Sequence, residues 1–164
     1  MLKLSFKESS KNVQVFNDRA TVVAWTCSME MPDWWAKIPI EIYEWADNHP
    51  SVFLSEGYGN SGGLRILLSA QGKSVCAEED EFNAELGEWI AESRAKIKLY
   101  KFIHTLCEKL MKYYYDIMYG NAEFDIVRES HSEAPKDCLY LTCKKYQALW
   151  IKESHHLGKL LEGV

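Results

Sequence analysis

Four glycines, Gly57, Gly59, Gly62 and Gly63, stand in the run GYGNSGG, and the cations Arg65, Lys73 and Arg94 follow them. Glycines at this density let successive backbone N–H groups point into one concavity and hold an anion. Guanidinium or ammonium groups nearby would complete a phosphate site. The expected ligand set is therefore Gly59, Gly62, Gly63, Arg65, Lys73 and Arg94. The run is not a Walker loop, because no Gly-Lys-Ser/Thr follows and the next segment reads as a strand. A plain hairpin connection accounts for the same glycines. Arg94 falls between Ile90 and Ile97 on the apolar side of a helical stretch. There it must pair with an acid such as Glu88 or reach a ligand's phosphate.

Other chemistries find less support. His131, Cys138, Cys143, His155 and His156 gather in the last third, without a CxxC or HExxH pattern. Strand alternation would put Cys138 and Cys143 on opposite faces, so no metal set is expected. Cys76 with His104 or His49 has no surrounding nucleophile motif. Ser61 in GNSGG lacks the strand-to-helix context of a nucleophile elbow. No catalytic residue and no cofactor is expected.

The elements that must position these residues are legible from periodicity. Leu2, Leu4 and Phe6 alternate as a half-buried strand, and Ser9–Asn12 reads as a turn. Val13, Val15 and the stretch from Ala20 to Met29 continue the β character, with a tight turn at Asn17-Asp18. Trp34, Trp35, Ile38, Ile42, Trp45 and Ala46 recur at helical spacing, with Pro39 in a first turn near Ile38. Leu64, Ile66 and Leu68 alternate with Arg65 and Leu67, and Gln71-Gly72-Lys73 reads as a hairpin turn before Val75.

Asn83 then stands where an N-cap belongs, and Ala91, Ala95, Leu99, Phe102, Leu106, Leu110, Tyr113 and Ile117 form one apolar seam. Gly87, Ala91 and Ala95 come first, so a neighbour can approach closely there. Gly120-Asn121 supplies a stop. Beyond it Phe124, Ile126 and Val127 suggest a strand, Leu139, Leu141 and Cys143 a second, and Tyr146 to Leu161 a final helix. The expected class is α+β: one domain, an antiparallel sheet packed on one long central helix, with smaller helices.

Composition narrows the partners. At 164 residues the chain suits a single core, and an apolar share of 47% argues against disorder. A net charge of −5 argues against general nucleic-acid binding and against anionic membranes. MLKLSFKESSK lacks the apolar stretch of a signal peptide, no run is long enough to span a bilayer, and five scattered cysteines suit a reducing compartment. A cytoplasmic location is expected.

The segment from Gly72 to Lys96 combines GKSVCAEEDEFN with Gly87, Ile90-Ala91 and Arg94-Ala95. It resembles a hairpin-plus-helix segment of small accessory proteins in phages and prophages. The resemblance implies a mobile-element origin. Proteins of this size in phages often counter host immunity by sequestering a nucleotide signal, as the Thoeris anti-defence sponges do, or by blocking a defence protein. The leading expectation is a non-enzymatic binding protein whose partner is a host defence protein or a nucleotide-type ligand. The alternative is a small enzyme acting on a phosphorylated metabolite or nucleotide. Arg94 and Lys73 would then hold phosphate, and a carboxylate among Glu78 to Glu81 would serve as base or metal ligand.

Assembly is the last expectation. The seam from Ala91 to Ile117 is about 40 Å long at 1.5 Å per residue, longer than a sheet of five- or six-residue strands is wide. Its distal part, Leu106, Leu110, Tyr113, Tyr114 and Ile117, would project and form a two-fold homodimer interface. A final helix folding back over the same surface is the competing arrangement.

Overall fold

β1 (Phe6–Phe16) and β2 (Ala20–Glu30) form a hairpin closed through Asn17, whose φ of 49° is a left-handed conformation that asparagine tolerates. The Arg19 N–H donates to the Phe16 carbonyl at 3.0 Å to close the turn. The structure, a computed structural model, describes residues 6–17, 19–30, 38–58, 64–78, 80–119 and 134–162. Helix α1 (Ile40–Asp47) leads to β3 (Phe53–Tyr58), which pairs antiparallel with β4 (Leu64–Val75). β4 also pairs antiparallel with β2, giving a four-stranded sheet in the order β1-β2-β4-β3. Two long helices follow, α2 (Ala84–Tyr119) and α3 (Ala134–Glu162). The class is α+β, an antiparallel sheet with one long central helix.

Helix α2 begins where the sequence places it. The Leu86 N–H donates to Asn83 Oδ1 at 3.0 Å, satisfying one of the first-turn donors that no helical carbonyl can reach. Its first half then lies on β2 and β4. Ala91 and Ala95 are fully buried, and directly beneath them is Gly72. A Cβ added there would collide with the Ala91 carbonyl and lie 2.6 Å from the Ala95 nitrogen. Gly87 faces β2 less tightly, where an added Cβ would come 2.9 Å from the side-chain Thr21 Oγ1. Small residues on the helix and a glycine in the strand thus bring two backbones almost into contact.

This arrangement corrects the turn expected at Gln71-Gly72-Lys73. Those residues lie within β4, which runs unbroken to Val75 beside β2. Gly72 is there for the approach of α2 and not for a bend. The turn expected at Ser9–Asn12 is likewise absent, because β1 continues through it with only a register irregularity between Glu8 and Ser10. Its polar residues belong to an edge strand, and Lys11 reaches across to Glu88 and Glu92 on α2 at 2.7 and 2.9 Å.

The second half of α2 is bulky and faces two helices. Trp45 of α1 stacks on Phe102, with ring centroids 5.3 Å apart and planes at 7°, and His49 meets Phe102 edge-on. On the other flank α3 runs antiparallel to α2. Ser93 donates to Glu153 at 2.6 Å, and Tyr100 meets Tyr146 further along α2 and further back on α3. The strand expected at Leu139–Cys143 is therefore a correction: these residues belong to α3, where Leu139, Cys143 and Tyr146 fall on one buried face at helical spacing. A short alternating apolar run fits either period.

The same helix overturns the reasoning about a projecting seam. Leu106, Leu110 and Tyr114, expected at a two-fold interface, are buried within the single chain in the core that includes Leu139, Cys143 and Tyr146. Tyr113 is half-buried against that core. The side chain of Ile117 lies outside the described residues, as do Leu2, Leu4, Trp34, Trp35, the Gly120-Asn121 stop and the strand expected at Phe124–Val127. Among the described residues no helix is long and apolar enough to cross a membrane.

Candidate functional site

Of the expected ligand set, the described members Arg65 and Lys73 lie far apart on the sheet. Gly59, Gly62 and Gly63 lie outside the described residues, in the connection between β3 and β4. Arg65 and Lys73 share a face of β4 but stand eight residues apart, about 26 Å along an extended strand. No small phosphate ligand bridges that span. Arg94 donates to the Lys73 carbonyl at 2.6 Å, and Lys98 to the Gln71 carbonyl at 2.6 Å. The reason lies in strand lengths. β3 pairs with β4 only as far as Ser69, so the next residues of β4 have no described strand on that side. The two cations cover this stretch of edge from the helix above, as edges are commonly protected.

A cleft of about 240 Å³ opens at the start of α2, lined among others by Cys76, Asp80, Glu81, Asn83, Gly87 and Arg94. It brings together the cation and the carboxylates that an enzyme acting on phosphates would need. Its balance is unfavourable to an anion. Asp80 and Glu81 face the same space, the Asn83 side chain caps the helix, and Arg94 already holds a backbone carbonyl. Cys76 points its thiol at the Asp80 carbonyl, 3.4 Å away.

The two faces of the sheet follow from strand alternation. Val23, Trp25, Cys27, Met29, Ile66, Leu68, Ala70 and Leu54 point toward α2 and are buried. The register gives the opposite face as cross-strand rows. One row is Ser10, Thr26, Ser69 and Phe53, the next Asn12, Ala24 and Gln71, the next Gln14, Val22 and Lys73, and the last Phe16, Ala20 and Val75. A 3.1 Å hydrogen bond from Thr26 Oγ1 to Ser69 Oγ confirms that these two share the face. Small side chains keep its centre shallow.

Its ends are apolar and open. Phe53 is 70% exposed and Leu67 38%. Leu67 is the diagonal neighbour of Phe53, two residues from its partner Ser69, so the pair is about 7–8 Å apart. Phe16 and Val75, at the other end, are also exposed. Comparison with family models, curated proteins and solved structures finds no match. The chain's own geometry is the guide to its role.

The sequence carries the signal of this face in its strand alternation. Val52, Phe53 and Leu54 are consecutive, so a strand that buries Val52 and Leu54 must turn Phe53 outward. Leu67 between Ile66 and Leu68 obeys the same rule.

The charges on the helix side are arranged for packing. Burial raises the Glu92 pKa, but hydrogen bonds from Lys96 and Lys11 outweigh it and hold the carboxyl below its ordinary 4.5. Lys96 also lies 5.0 Å over the Trp25 ring, covering its face. All five cysteines are free. Burial pushes the Cys107 thiol strongly upward, with Cys143 and Cys138 adding to it.

Proposed function

We propose that this chain is a non-enzymatic accessory protein of a phage or other mobile element. It acts in the cytoplasm by binding a host defence protein through the outer face of its sheet. The observation that carries this reading is the exposed pair Phe53 and Leu67 on a shallow sheet surface, with Phe16 and Val75 exposed at its other end. Exposed aromatic and aliphatic anchors beside small polar groups are a composition that protein interfaces use. The segment from Gly72 to Lys96, the end of β4 and the start of α2, supports the mobile-element origin by its resemblance to a segment of phage and prophage proteins.

A nucleotide-type ligand, or a small enzyme acting on one, is the second reading, and the cleft beside Arg94 favours it. Two carboxylates in the same cleft and an occupied guanidinium weigh against a phosphate there. The test is expression of the chain in bacterial strains that each carry one defence system, scored by phage plating. Restored plating in a strain with one system, with no turnover of nucleotides by the purified protein, is the expected result. Nucleotide turnover, or a thermal midpoint raised by a nucleotide with or without Mg²⁺, would replace this reading by the second.

A further inference from the structure

Where α2 and α3 run side by side, three side chains of different chemistry converge. His104 and Glu108 are one turn apart on the same face of α2, and Cys143 comes from α3. His104 Nδ1 lies 3.4 Å from Glu108 Oε2. An imidazole nitrogen, a carboxylate oxygen and the Cys143 sulfur all fall within 4.8 Å of one another. The His104 ring is also held edge-on against Trp150 of α3, with centroids 6.0 Å apart. Cys143 is 7% exposed and the His104 side chain 12%, whereas Glu108 is 55% exposed and opens the group to solvent.

A lone core thiol needs no polar neighbours, and a surface His–Glu pair needs no thiol. Here the thiol of one helix is aimed at the polar pair of the other. Nitrogen, oxygen and sulfur together form the donor set that suits a borderline-soft divalent ion, and zinc takes such sets in tetrahedral geometry. Bond lengths of 2.0–2.3 Å place tetrahedral donors about 3.5 Å apart, so closure from the present positions takes movements of an ångström or less. The sequence concealed this group. A strand at Leu139–Cys143 would separate Cys143 from α2, and His104 and Glu108, four residues apart, match no recognised metal motif.

We propose that His104, Glu108 and Cys143 form a zinc site that ties α3 to α2 and leaves a fourth position open to solvent. The proton on the Cys143 sulfur departs on binding, as thiolate ligation requires. The zinc is a clamp between the two helices, independent of the outer sheet face.

The test is a titration of the full chain with Co²⁺ under a non-coordinating phosphine reductant. One equivalent is expected to bind, with a near-ultraviolet thiolate-to-cobalt band and tetrahedral visible bands that Zn²⁺ abolishes by displacement. Cys143→Ser removes the near-ultraviolet band, and Cys76→Ser leaves it unchanged. Glu108→Gln, at a position 55% exposed, is expected to weaken Co²⁺ binding by about tenfold or more. A folded wild-type protein without the band overturns the proposal, as does a band that survives Cys143→Ser. Should Cys143→Ser fail to fold, unchanged Co²⁺ affinity in Glu108→Gln overturns it alone.

Discussion

The two faces of the sheet are built from alternate residues of the same strands, and they differ in almost every respect. The inner face carries Val23, Trp25, Met29, Ile66 and Leu68, all buried under α2, with Gly72 removed to nothing so that the helix can settle. Each large side chain buried there contributes about 1.5–3 kcal/mol. The outer face carries Ser10, Ala24, Thr26 and Ser69 at its centre, with Phe53 and Leu67 exposed at one end. Folding buries the inner face and leaves Phe53 and Leu67 of the outer one in solvent. A residue's distance from the helix layer therefore predicts whether its loss will be felt in stability or in binding.

The largest expected effect lies deepest in the core. Leu110→Glu places a carboxylate where Leu110 is now 2% exposed, between α2 and α3. We expect a loss of about 4 kcal/mol or more, enough to unfold a marginal domain. Circular dichroism showing an unfolded chain fits a core position, and a folded monomer produced from a wild-type dimer would restore this leucine to an interface. Next in size is Gly72→Val. The strand cannot bend away without breaking its pairing with Val23, and the atoms it meets are backbone. A loss of about 3 kcal/mol in urea unfolding is expected, and a neutral result would mean that α2 does not lie on β4 as described.

Much of this was legible in the sequence, and the reasons are local. The seam of α2, its Asn83 cap and its small first half each depend on neighbours within a few residues, and each is seen in the structure. Gln71-Gly72-Lys73 is strand and not turn, and a glycine between polar residues looks the same in sequence whether it bends the chain or admits a helix. Only the packing of α2 distinguishes the two. Leu139 to Cys143 is helix and not strand, and five residues satisfy both periods. Arg65 and Lys73 do not converge because sequence proximity on a strand is distance in space, and eight residues of β4 separate them. Conversely Phe53 and Leu67, on different strands, become diagonal neighbours through register alone.

A smaller effect comes from the helix side of the sheet at low pH. Burial among Trp45 and Phe102 holds the His49 pKa below its ordinary 6.5, and the Ser51 N–H donates to its Nδ1 at 3.2 Å. The unfolded chain takes up a proton as pH falls through 6.5 and the folded chain does not, so the stability this neutral ring provides is present above 6.5 and declines below it. Urea midpoints between about pH 7.5 and 5.5 should fall more for the wild type than for His49→Phe, which keeps a ring and cannot titrate. Equal slopes would remove His49 as the cause.

The outer face should answer in the opposite way, and one measurement asks it directly. Phage plating on the strain whose defence the wild-type chain relieves would be repeated with Phe53→Lys/Leu67→Lys, at matched levels of folded protein. Both side chains are exposed, so the thermal midpoint should stay close to that of the wild type, as surface changes generally cost within about 0.5 kcal/mol. The account predicts that relief is lost while the fold persists. Full relief by the folded double variant would contradict it.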